Sequence, residues 1–96
     1  MVDVPPFVPA VAATPAAFIL SRLAMIEWDR KEFRRALARE GAHVSPQTVS
    51  RWIAGGHPRP KHLAAMLRVF RLDAEEELLL RRLVDAASLR AAKSGL

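Results

Sequence analysis

Val44-Ser45-Pro46-Gln47-Thr48-Val49-Ser50-Arg51-Trp52-Ile53-Ala54-Gly55-Gly56 carries the start and stop signals of one short helix. Ser45 can accept a hydrogen bond from a first-turn amide, and Pro46 suits the first helical position, where its missing N–H costs nothing. Val44 before the cap and Val49 after it have the spacing of a hydrophobic staple. Val49, Trp52 and Ile53 share one helical face, which leaves Gln47, Thr48, Ser50 and Arg51 outward. Gly55-Gly56 stops the helix, and Pro58 and Pro60 prevent its resumption. A short helix over Pro46–Ala54 is therefore predicted, apolar inside and polar outside.

The same start devices recur on either side. Upstream, Asp29 and Glu32 have capping-box spacing, and Trp28 and Phe33 have staple spacing. Phe33, Ala36 and Leu37 then form a buried stripe that ends at Gly41. Before that, Thr14-Pro15 starts a helix through Phe18, Ile19, Leu20, Leu23 and Ile26. Downstream, a fourth helix from about Lys61 carries Leu63, Met66, Leu67 and Phe70 at i, i+3, i+4 and i+7. Asp73 and Glu76 open a fifth, with Glu75, Glu76 and Glu77 where the helix dipole favours negative charge. Its apolar residues are Leu78, Leu79, Leu80, Leu83, Val84, Ala86, Ala87 and Leu89. Pro5, Pro6 and Pro9 give residues 1–13 an extended path, read as an arm. Residues 91–96 read as a tail that frays from Ser94 on. No segment alternates with period two between turn signals, so the expectation is an all-α, compact five-helix domain over residues 14–90.

Composition narrows the function classes. The chain has 96 residues, 51% of them hydrophobic, which suits one compact domain with a real core. It has no cysteine, which excludes a disulfide framework and any Cys-type zinc site. The amino end carries Asp3 and no basic leader, unlike a signal peptide, and no apolar run nears the ~18 residues of a membrane span. A cytoplasmic protein is expected. The net charge of +5 favours a polyanion partner, nucleic acid or an anionic membrane surface. That charge is unevenly placed. From Asp29 to Lys61, Arg30, Lys31, Arg34, Arg35, Arg39, Arg51, Arg59 and Lys61 outweigh Asp29, Glu32 and Glu40 by +5. From Asp73 to Leu89, five acids against Arg81 and Arg82 leave −3.

The order of elements from Asp29 to Leu72, and above all Val44–Trp52 followed by Gly55 or Gly56, Arg59-Pro60 and Leu63, resembles the Cro/phage-repressor (Xre-like) helix-turn-helix family. The resemblance implies a DNA-binding transcription regulator, a repressor or an activator, of bacterial or phage type. The physical logic is independent of it. A major groove admits one α-helix, and the first turns of that helix face the base edges. Gln47, Thr48, Ser50 and Arg51 are accordingly the candidate base readers: glutamine can pair with adenine and arginine with guanine through two hydrogen bonds. Arg30, Lys31, Ser45, His57, Arg59 and Lys61 lie at helix starts or in the loop after the reading helix, the places where the family commonly touches the phosphate backbone. One departure stands out. Asp29 to Ser45 spans sixteen residues, about one helical turn more than the family pattern, so either the second helix is longer or the Gly41-Ala42-His43 turn is wider.

Other chemistries find little support. His43, His57 and His62 are accompanied by no pattern that completes a zinc set. No nucleophile–base–orienter set and no glycine-rich phosphate loop occurs, so neither an enzyme nor a cofactor is expected. The alternative is a protein-interaction module, an anti-activator or antitoxin using the same fold, or a DNA reader controlled by a regulatory protein partner. Leu78, Leu79 and Leu80 motivate it, since consecutive helical residues diverge by about 100° and cannot all face one core. A homodimer through Leu79, Leu80, Leu83 and Val84 would cover that surface, and two-fold dimers read palindromic half-sites. Phe7 and Val8 of the arm could cover it instead within one monomer.

Overall fold

In a computed structural model, which describes residues 13–94, the chain folds into five helices: α1 (Pro15–Ile26), α2 (Arg30–Arg39), α3 (Pro46–Ile53), α4 (Pro60–Phe70) and α5 (Ala74–Ser94). No strand occurs among the described residues. The arm expected over residues 1–13 falls, apart from Ala13, outside them, and so do Phe7 and Val8. Helix α5 continues through 91–94, where a tail was expected.

The caps read from the sequence are made. Thr14 Oγ1 accepts from Ala17 N–H at 3.1 Å, and Ser45 Oγ from Thr48 N–H at 3.1 Å. Asp29 and Glu32 close a reciprocal capping box at 2.8 and 2.9 Å, and Asp73 and Glu76 close another at 2.8 and 3.1 Å. Each cap satisfies amides that the helix itself leaves without acceptors.

The helix ends share a device too. A residue with positive φ follows each of the first four helices: Glu27 (57°), Gly41 (90°), Gly55 (119°) and Arg71 (52°). The next residue then donates back across the last turn. Trp28 N–H reaches Leu23 O (3.0 Å), Ala42 N–H Leu37 O (2.9 Å), Gly56 N–H Arg51 O (2.8 Å) and Leu72 N–H Leu67 O (3.4 Å). This is the Schellman arrangement, which satisfies terminal carbonyls. Gly41 and Gly55 adopt it without the Cβ penalty that Glu27 and Arg71 bear.

The second of these ends settles the long approach to α3. Helix α2 has ten residues, and Glu40–Val44 then connects it to Ser45. In that connection Ala42 turns inward and is buried, whereas His43 stays exposed. The extra length thus feeds the core as well as the turn.

The core is continuous across all five helices. Ile19 of α1, Phe33 and Leu37 of α2, Val49 of α3, Met66 of α4 and Leu80 of α5 are each fully buried. Phe33 stacks on Phe70 (5.3 Å between centroids) and meets Trp52 edge-on (6.4 Å). These rings tie α2 and α4 to the inner face of α3, in favoured aromatic geometries. Deleting such a ring costs about 3–5 kcal/mol, so Phe33 anchors the domain.

Leu80 and Val84 correct the expectation of an interface. Both lie in the chain's own core, at 0% and 7% exposure, and cannot be offered to a second copy. Leu79 and Leu83 are half-buried against the same core. A run of three leucines does not say which one faces inward, and packing selects Leu80.

Candidate nucleic-acid interface

Helix α3 is short, and its burial pattern fixes its orientation. Val49 and Trp52 are buried and Ile53 is half-buried, so with about 100° of rotation per residue the opposite direction is that of Gln47 and Arg51. Both are exposed, one turn apart. Ser50 flanks this ridge on the side of α2, where Arg30 Nη1 donates to Ser50 Oγ at 3.4 Å. Thr48 flanks it on the other side, half-buried, with its hydroxyl 3.1 Å from Ser45 Oγ. The four expected base readers therefore form a central pair with a shoulder on each side. Only the central pair lacks a side-chain hydrogen bond within the chain, among the described residues.

The expected backbone-contacting residues surround this ridge on two sides. Arg30 and Lys31 are exposed at the start of α2, and Arg59 and Lys61 at the start of α4. Ser45 is exposed but its hydroxyl is engaged in the cap. His57 is half-buried in the loop between α3 and α4, packed next to the buried Pro58.

Ion pairing sharpens the charge asymmetry. The three ion pairs among the described residues are Arg22–Glu76, Arg68–Glu40 and Arg81–Glu77. None uses a cation from Arg30 to Lys61. Those eight basic side chains thus have no carboxylate partner among the described residues, as a surface for a polyanion requires. The field is felt by His62, whose pKa is lowered by burial first and then by Lys61 and Arg59. Its ring lies against Trp52, 5.7 Å between centroids, behind the ridge of Gln47 and Arg51.

Two positioning residues escaped the sequence reading. Arg34 donates from Nε to the Val44 carbonyl at 3.3 Å and so fixes the chain one residue before the cap of α3. In the sequence it is one more cation in a basic run. Gly56 approaches Arg51 so closely that an added Cβ would sit 2.9 Å from the Arg51 carbonyl oxygen. The double glycine thus does more than stop the helix, because it lets the chain fold back against the turn that carries Arg51.

With this geometry in place, comparison with known proteins gives one family. Residues 34–76, from within α2 to the first turn of α5, match the model of a family described as helix-turn-helix. No curated protein and no solved structure matches the chain. The matched segment contains α3, both of its flanking turns and all of α4. The resemblance seen in Val44–Trp52 is borne out over that segment.

Proposed function

We propose, from the premise that residues 34–76 are a helix-turn-helix domain, that this protein is a sequence-specific regulator of transcription which reads duplex DNA with α3. The observation that carries this reading is the ridge of Gln47 and Arg51. It stands outward from a helix clamped by Val49 and Trp52 and is flanked by cations with no carboxylate partner among the described residues. Gln47 and Arg51 contact base edges, with Thr48 and Ser50 on either side of them. Arg30, Lys31, Arg59 and Lys61 contact phosphates and set the register. By occupying its operator the protein represses or activates a promoter. No helix among the described residues is long and apolar enough to cross a membrane, and none of their His and acidic side chains are grouped as a metal site would need.

A homodimer is part of the proposal. With Leu80 and Val84 in the core, the outward face of α5 consists of Leu78, Arg82, Asp85 and Leu89, all exposed. In a two-fold pairing of this face, leucines at its ends and opposite charges between them are self-complementary.

The test is a gel shift on genomic fragments with a salt titration. Affinity is expected to fall steeply between ~50 and ~200 mM salt. Absence of any shift at low salt would contradict the reading and favour a module that binds protein.

A further inference from the structure

Between the end of α3, the loop to α4, the first turn of α4 and the last turns of α5 lies a groove of about 760 Å³. Arg51, Arg59 and Arg90 line it together with His57 and His62, and no carboxylate of the described residues does. None of these arginines has an ion-pair partner among the described residues. Like charges gathered without a counterion repel one another, and an anion seated among them relieves that cost. Two other features of the groove point to such an anion. His57 Nδ1 is buried with no hydrogen-bond partner among the described residues, and buried polar atoms are almost always paired. Helix α4 starts after Arg59 without a side-chain cap, which leaves the Lys61 and His62 amides at its positive dipole end without a side-chain acceptor among the described residues.

Guanidinium forks, an imidazole nitrogen and backbone amides are together a donor set for tetrahedral phosphate oxygens. We propose that this groove is a phosphate-binding site held by Arg59, Arg90 and His57, and that it seats a backbone phosphate of the duplex beside α3. Arg51 belongs both to the groove wall and to the reading ridge, which places the phosphate next to the bases being read. The end of α5 thereby joins the DNA surface, although that helix begins with a run of acids. The assignment to duplex DNA rests on the functional reading above; the phosphate site does not.

The test uses the full chain and two variants, Arg90→Ala in the groove and Arg81→Ala, an exposed arginine of the same helix outside both the groove and the proposed pairing face. Alanine keeps the helix in both. Inorganic phosphate is titrated into the DNA-free protein while the His57 ring resonances are followed by NMR. A saturable shift is expected in the parent protein and in Arg81→Ala, weakened about tenfold in Arg90→Ala by loss of a charged hydrogen bond. No saturable shift, or one that Arg90→Ala leaves unchanged, would overturn the site whatever the protein does with DNA. On a bound duplex, Arg90→Ala should make the slope of log affinity against log salt shallower by about 0.9, and Arg81→Ala should not. An unchanged slope with phosphate binding intact would overturn the duplex assignment and make the ligand a free phosphate compound. If the parent protein binds no duplex, the DNA reading fails, and the phosphate titration still decides the site.

Discussion

His62 shows how the interface reaches individual side chains. Burial and then the charges of Lys61 and Arg59 hold its pKa below the ordinary value of 6.5. The unfolded chain therefore takes up this proton more readily than the folded one. Stability is fully present above 6.5 and declines as pH falls from there through the lower folded pKa. Denaturation followed between pH 7 and pH 5 should show that decline, and His62→Gln should remove part of its slope. A slope unchanged by His62→Gln would mean that the imidazole is not desolvated against Trp52. The outward side chains of α3 were legible in the sequence because cap, staple and stop fix the register of that helix, and register decides which side chains point outward. The role of Arg34 was not legible, since its carbonyl acceptor at Val44 lies across a turn whose path the sequence leaves open.

At the level of elements, the starts of helices were easier to read than their ends. Thr14, Asp29, Ser45 and Asp73 announce themselves by residue type, and Pro15 and Pro46 by position. Gly41 and Gly55 announce two ends in the same way. The ends of α1 and α4 were hidden, because Glu27 and Arg71 occupy left-handed positions where glycine is the usual residue. Tertiary packing of Trp28 and Leu72, which follow them, holds these residues there. Glu27→Gly should therefore stabilise the domain by about 0.5–1 kcal/mol, the relieved strain outweighing the added freedom of the unfolded chain. Urea denaturation checks this, and a loss of stability would show that Glu27 has a compensating contact.

At the scale of the whole molecule, charge and apolar surface are divided between different regions. Arg30, Arg51, Arg59 and Arg90, none with an ion-pair partner among the described residues, gather around α3, while α1 and α5 leave Leu20, Met25, Ile26, Leu78 and Leu89 exposed. The five-helix fold was legible from periodicity and caps. The joining of Arg90 to Arg51 and Arg59 was not, because those residues are distant in sequence and only packing of α5 brings them to one groove. The choice of Leu80 over its neighbours was hidden for the same reason. If the outward face of α5 pairs two copies, Leu89→Glu should convert a dimer into a monomer in sedimentation without loss of helicity. A parent chain that sediments as a monomer up to high concentration would contradict the pairing.

The central claim, that α3 reads bases through Gln47 and Arg51, is tested most directly by selecting bound sites from random duplex DNA with the parent protein and with Gln47→Ala. The parent is expected to enrich a defined site, in half-sites roughly one helical turn apart if it binds as a dimer. Gln47→Ala should lose about 1–3 kcal/mol of discrimination at one position of each half-site and keep the rest. Lys61→Ala, by contrast, should weaken all sequences alike. An identical base preference in the parent and in Gln47→Ala would contradict the account.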